Sequence, residues 1–360
     1  MIDWDLAVNA GSRLVRPGPQ VTREDAHRVV AELRELSGQA ARHVSSFTGM
    51  GAPEQSDGAT IVDRPGWIAA NVDGFRVVLE PLVDKLAQRR STMRGGDVAT
   101  AVGSRVTGMQ VGSVLAYMAS RVLGQYELFL PPDPSGAASA GRLTLVAPNI
   151  VQAERELAVD PYDFRLWVCL HEETHRAQFT AVPWLRGYVQ DQMTAFLLAS
   201  DLEPAAMMSR LRTVADAVAD AVRGGEGNLI EAVQTPEQRP ILDRLTAVMT
   251  LVEGHGDYVM DGVGPEVVPS VAEIRARFQK RREGGGSVDR TIRRVLGIEL
   301  KMKQYAQGSG FVKSVIDRAG MAGFNRVWDR PENLPTTHEI AHPDVWIARV
   351  LGDGHAAVET

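Results

Sequence analysis

The stretch LWVCLHEETHRAQF, residues 166–179, decides how this chain is read. It contains His171-Glu172-Glu173-Thr174-His175, two histidines four residues apart with a glutamate directly after the first. On an α-helix a four-residue step returns to the same face, so both imidazoles can reach one metal ion. Glu172, about 100° further round, can reach a water held at that ion. Two nitrogen ligands with a carboxylate base beside them form the working helix of a zinc hydrolase site. Phe164, Trp167, Val168 and Phe179 share the histidine face and turn it inward, whereas Glu173 and Arg176 are expected to point elsewhere. Cys169 lies about 200° round the helix from His171 and reads as a core thiol.

The same pattern recurs near the C-terminus, in ENLPTTHEIAHPDVW, as His338-Glu339-Ile340-Ala341-His342. Here Pro335 and Pro343 bracket the motif, and Pro343 biases His342 away from helical geometry. Without a full helical turn the two imidazoles do not line up. Thr336 and Glu339 have the spacing of a capping box, which accounts for that glutamate without a metal. The first motif is therefore the candidate site.

A zinc site needs a third protein ligand, and TLVEGHGDYVMD, residues 250–261, offers one. Glu253 and Asp257 are one helical turn apart, so the glutamate can bind the metal while the aspartate accepts a hydrogen bond from a ligand imidazole. His255 is the rival, about 200° round from Glu253. Gly254 and Gly256 cost a helix roughly 1 kcal/mol each against Ala, a cost that makes sense where another backbone or the metal-binding helix comes close. Leu242, Leu245, Met249 and Val252 are the expected anchoring stripe of this helix. Tyr258, Tyr305, His338 and Arg349 are candidate oxyanion donors that the sequence cannot place.

Around these motifs helical periodicity dominates. Thr22 and Asp25 are spaced to cap a helix carrying Val29, Val30, Leu33 and Leu36. Helices are predicted over about 65–87, 161–180, 184–200, 203–222, 237–261, 270–282 and 297–319. They are separated by the breakers RGGEGN, GVGPEVVP and REGGGS. The small-residue-rich segment 97–123 is expected to pack tightly inside the body. YELFLP (126–131) and RLTLVAP (142–148) are the clear strand signals and read as a hairpin with a longer loop. The expected fold class is mainly α (α+β) with a small β-hairpin or sheet element. It forms one large domain over 1–360, with 1–60 a candidate helical N-terminal extension.

Composition narrows the function classes. Lys and Arg total 39 against 45 Asp and Glu, a net charge of −6, so no basic field exists to draw nucleic acid or an anionic membrane. The single cysteine excludes a disulfide within the chain and cysteine-built zinc fingers, and fits a reducing compartment. The start MIDWDLAVNAGSRLVRPG lacks a basic run followed by an apolar core, and no apolar run approaches membrane-spanning length. A cytoplasmic location is expected. No phosphate-binding glycine loop or dinucleotide fingerprint occurs.

Taken together, HEETHRAQF with VPWL, EGHGDYVMD and IELKMKQYAQGSGFV with LPTTHEIAHPDVWIAR resemble a mainly actinobacterial family of zincin-like metallopeptidases. One branch of that family is named for an association with biosynthesis of coenzyme F-420. The resemblance implies a mostly helical zincin fold in the gluzincin arrangement. His171 and His175 would bind Zn2+, Glu172 would act as base, Glu253 would be third ligand and Asp257 its supporting residue. The expected activity is zinc-dependent hydrolysis of a peptide or other amide. The alternative is a non-catalytic protein that keeps the zincin scaffold to bind a partner, and the carboxylate at Glu172 favours the enzyme.

Overall fold

A computed structural model describes residues 2–51, 58–90, 97–131, 141–199, 235–283 and 298–352. The helix predicted over 203–222 and the breaker RGGEGN lie outside these residues. The chain divides into two compact units, Met1–Pro183 with Val259–Arg275, and Trp184–Tyr258 with Ala276–Thr360. The fold is mainly helical with one three-stranded sheet, as the sequence pattern predicts. No helix among the described residues is long and apolar enough to cross a membrane.

The first unit opens with helix α1 (Trp4–Leu14), which Asp3 caps by accepting the Leu6 N–H at 2.9 Å. Helix α2 (Arg23–Thr48) starts as its sequence predicts, with the Thr22 hydroxyl accepting the Asp25 N–H at 3.0 Å. Strand β1 (Thr60–Val62) leads into α3 (Arg64–Arg90), followed by α4 (Asp97–Ala119). α4 is less enclosed than its small residues suggest. Its glycine side packs on α1, while Val106, Met109, Val114 and Met118 are exposed.

Strands β2 (Gly124–Glu127) and β3 (Arg142–Val146) form the expected antiparallel pair, Gly124 opposite Leu145. β2 starts two residues earlier than its apolar run implies. β1 joins β3 in parallel, Ile61 opposite Leu145, so the order is β1-β3-β2 and β3 is the central, buried strand. The carboxylate of Glu127 accepts from the Thr144 hydroxyl at 2.5 Å and from Arg142 at 2.6 Å, which closes the polar side of the hairpin.

Helix α5 (Ala147–Leu157) begins directly after β3 and ends at Ala158, whose φ is 51°. Helix α6 (Pro161–Ala181) follows, with Pro161 at its first position and Asp160 accepting the Asp163 N–H at 3.0 Å. α2 lies along α6, and buried charge ties the two together. Arg165 of α6 reaches Glu154 at 2.6 Å and Glu32 of α2 at 2.8 Å. Glu173 accepts from the Ser37 hydroxyl of α2 and pairs with Arg176 at 2.5 Å.

The second unit contains α7 (Pro183–Leu198) from Trp184 onward, α8 (Gln238–Gly262) up to Tyr258, α9 (Val271–Glu283) from Ala276 onward, and α10 (Ile298–Asn325), bent at Gly320 (φ 71°). Short 3-10 turns at Arg326–Trp328 and Pro331–Asn333 lead to α11 (Thr337–Ala341) and α12 (Pro343–Leu351). The buried apolar side chains on this part of α8 are Ala247, Val248, Leu251 and Val252, and Met249 is exposed. The helix is therefore turned from the stripe expected for it.

Candidate metal centre

α6 is buried on nearly every side, not on one face. The apolar residues Phe164, Trp167, Val168 and Leu170 are enclosed, and so are Glu173 and Arg176, against the expectation that they point elsewhere. Their charges neutralise each other and Ser37 fills a remaining acceptor site, which removes most of the cost of burying them. Even so, burial pushes the Glu173 carboxyl above its ordinary range, with Arg176 and Ser37 opposing. Burial, then the charges of Glu173 and Glu172, pushes the Cys169 thiol well up, so it is an inert core group.

At the middle of this helix His171 and His175 approach each other. Their Nε2 atoms are 3.0 Å apart and their ring planes stand at 83°. Two nitrogens on one tetrahedral zinc, each about 2.0–2.1 Å from it, would be roughly 3.3 Å apart, so the pair is spaced for a shared ion. His175 is buried and its Nδ1 meets Gln178 Oε1 at 2.9 Å. The buried Glu172 carboxylate lies against Gly124 of β2. Further along α6, the Phe179 ring stacks on Tyr126 of β2 with centroids 6.0 Å apart.

On α8, Gly254 packs against the backbone of Gly308 on α10, and a Cβ at Gly254 would come within 2.5 Å of the Ser309 nitrogen. The close approach anticipated for Gly254 is thus real, and its partner is a helix backbone. His255 is fully buried against aromatic rings, 5.0 Å from Phe324 and 5.7 Å from Trp328 between centroids. It is a core residue of α8.

Among the described residues, one group of His, Cys, Asp or Glu side chains has the spacing to hold a metal ion. It comprises His171, His175 and Glu253, whose ligand atoms all lie within 4.8 Å of one another. Two imidazoles and one carboxylate suit zinc, and they leave room for a fourth position in a tetrahedral set. Asp257 sits half-buried one turn along α8 from Glu253.

The second His-Glu-x-x-His is built differently. Against expectation its two imidazoles do line up, because a short helical turn forms over Thr337–Ala341 and brings the ring centroids of His338 and His342 to 4.7 Å, but both residues are exposed. Glu339 completes a capping box with Thr336 and pairs with Arg349 at 2.6 Å. Arg349 also donates to the carbonyls of Glu332 and Leu334, so it closes a C-terminal corner and is spoken for as an oxyanion donor. Burial, then Asp317, raises the Tyr258 hydroxyl, with Lys313 opposing, so it stays a proton donor at neutral pH. The side chain of Tyr305 lies outside the described residues. Gln178 and Gly124 escaped the sequence reading, since neither residue type nor spacing marks them without their neighbours in space.

A mainly helical body with a small sheet and a His-His-Glu donor set is the kind of arrangement that metal-dependent hydrolases use. The chain belongs to the zincin-like metallopeptidase family, which it matches over residues 2–347. Among solved structures it is similar to the crystal structure of a candidate hydrolase with a novel fold from Chloroflexus aurantiacus. The two are 32% identical with a TM-score of 0.69 over 97% of this chain and 98% of that one. No curated protein matches it. Membership of this family implies a metal, typically zinc, at the level of the family.

Proposed function

We propose that the protein is a zinc-dependent metallopeptidase of gluzincin type that hydrolyses a peptide or related amide by attack of water. The observation that carries this reading is the cluster of His171, His175 and Glu253 ligand atoms within 4.8 Å. In this reading those three residues hold the ion and Asp257 steadies the set. A bound zinc supplies a Lewis acid that polarises the substrate carbonyl and makes water acidic. Glu172 then takes the proton from the attacking water and returns it to the leaving amine, the task of a general base that becomes a general acid. Its enclosure beside Gly124 favours the role, because the wall of β2 limits where the carboxylate can lie and so holds it in one place. The single cysteine supports a cytoplasmic site of action.

The test is zinc stoichiometry on wild-type protein expressed without added metal, beside His171→Ala, Glu253→Ala and His338→Ala. About one zinc per chain is expected, lost in the first two variants and kept in the third. Glu172→Gln should keep the zinc and lose hydrolysis of a peptide library. A wild type without zinc, or zinc lost only in His338→Ala, overturns the reading.

A further inference from the structure

Two contacts at His175 bear on where its proton sits. Its Nδ1 lies 2.9 Å from Gln178 Oε1, and its Nε2 lies 3.0 Å from His171 Nε2. A carboxamide oxygen only accepts, so Nδ1 donates, and a neutral imidazole has no second N–H to give. With Gln178 Oε1 facing Nδ1, the neutral ring of His175 presents a lone pair at Nε2, and His171 Nε2–H is then the donor between the rings.

Gln178 is fully buried on a helix where Ala177 beside it and Thr174 and His175 one turn back are buried too. A carboxamide in such a place costs free energy unless it is bonded. Three residues on from His175, it is the adjacent side chain on the same helix, so the contact forms as α6 itself forms. If the amide were turned to present its NH2 group, His175 would be forced into the Nε2–H form, which has no lone pair for a metal.

We propose that Gln178 is the positioning residue of the metal centre. Its carboxamide oxygen holds His175 in the Nδ1–H tautomer with Nε2 aimed at the ion. The two histidines are then unequal. His175 is set as a ligand before any metal arrives, whereas His171 must give up its Nε2 proton, carrying one on Nδ1 instead, to bind. This rests on the reading of His171, His175 and Glu253 as metal ligands. A partner on the far nitrogen of a ligand histidine is worth about 10–100-fold in metal affinity.

The test uses the full chain with 15N-labelled histidine, its His175 signals assigned by His175→Asn. In metal-free wild type at pH 8 the ring shifts of His175 should report the Nδ1–H tautomer. Gln178→Leu should shift it toward Nε2–H and weaken zinc, measured by competition with a chelator, about 10–100-fold. Gln178→Glu keeps the acceptor and should restore both. A role confined to packing would leave the tautomer unmoved. An Nε2–H tautomer in the wild type, or wild-type zinc affinity in Gln178→Leu, overturns the inference while leaving the metal reading intact. A wild type that binds no zinc overturns the metal reading itself, and this role with it. The wild-type tautomer needs no variant, so it judges the assignment even if Gln178→Leu does not fold.

Discussion

Gly124 of β2 lies so close to Glu172 of α6 that a Cβ at Gly124 would be 2.8 Å from the glutamate Cγ and Cδ and 2.9 Å from Oε1. The neighbour in the way is the tip of a flexible side chain, so an added methyl displaces it without disturbing the backbone. Gly124→Ala should therefore fold and keep its zinc while moving the proposed base. Loss of general-base action costs 10²–10⁴-fold, and partial displacement should lower kcat by at least about tenfold. Zinc content and peptide hydrolysis on the same preparation check this. Unchanged kcat with normal zinc would show that Glu172 does not depend on that wall.

Gly308 is the opposite case. A Cβ there would overlap the carbonyl oxygen of Thr250, and the reciprocal Cβ at Gly254 would overlap the Gly308 backbone. Backbone cannot swing aside, so α8 and α10 would have to separate. Overpacking of this kind costs typically 1–3 kcal/mol, occasionally more, and Gly308→Ala should lower the melting temperature by several degrees. Because Glu253 is next to Gly254, the same variant should also hold zinc less tightly. A melting curve within 1 °C or so of wild type would mean that the two backbones are not in contact.

These two glycines mark the border of what the sequence makes legible. The histidine pair, the Thr22 cap and the hairpin are local patterns, set by periods of 3.6 and 2 and by capping chemistry. The first two stand where the residues place them, and the hairpin forms with its first strand starting two residues earlier than the apolar run implies. Gly254 could be suspected because a glycine in a helix needs a reason, whereas Gly124, in a strand beside a loop, needed Glu172 to be seen. β1 has three residues and becomes a strand through parallel pairing with β3, more than 80 positions on, for which no short-range pattern exists. α5 was hidden because the apolar run of β3 continues into it without a break. Glu173 and Arg176 were misread because a charged pair looks like solvent-facing surface until Ser37, from a distant helix, is brought to it.

His255 and Glu253 are two residues apart and should answer mutation in opposite ways. His255 fills a space among Phe324 and Trp328, so His255→Ala leaves a cavity. Large-to-small changes in a core cost about 2–5 kcal/mol. It should melt several degrees lower yet retain about one zinc per chain. Glu253→Ala should melt like wild type when both are metal-free and lose most of its zinc. Thermal melts in a chelator, paired with metal analysis of the untreated proteins, separate the two effects. Zinc lost from His255→Ala at a temperature where it remains folded would reverse the assignment of the third ligand.

Glu339 predicts a pH dependence confined to the C-terminal corner. Burial alone would raise its carboxyl, but the hydrogen bond from Arg349, the Thr336 N–H and the charge of Arg349 outweigh it, and the group sits below its ordinary range. In the unfolded chain a glutamate titrates at roughly 4.3. A lowered pKa in the folded state means that the unfolded chain binds more protons in the interval between the two values, so stability rises with pH there. The contribution of Glu339 is fully present above the unfolded value and is lost as pH falls through the folded one. The melting-temperature gap between wild type and Glu339→Gln should thus be constant from pH 7 down to about 5 and close at lower pH. Arg349→Met, which removes the partner, should flatten the same dependence. A gap that persists undiminished below the folded value would mean that the shape of the capping box, and not the carboxylate charge on Arg349, holds the corner.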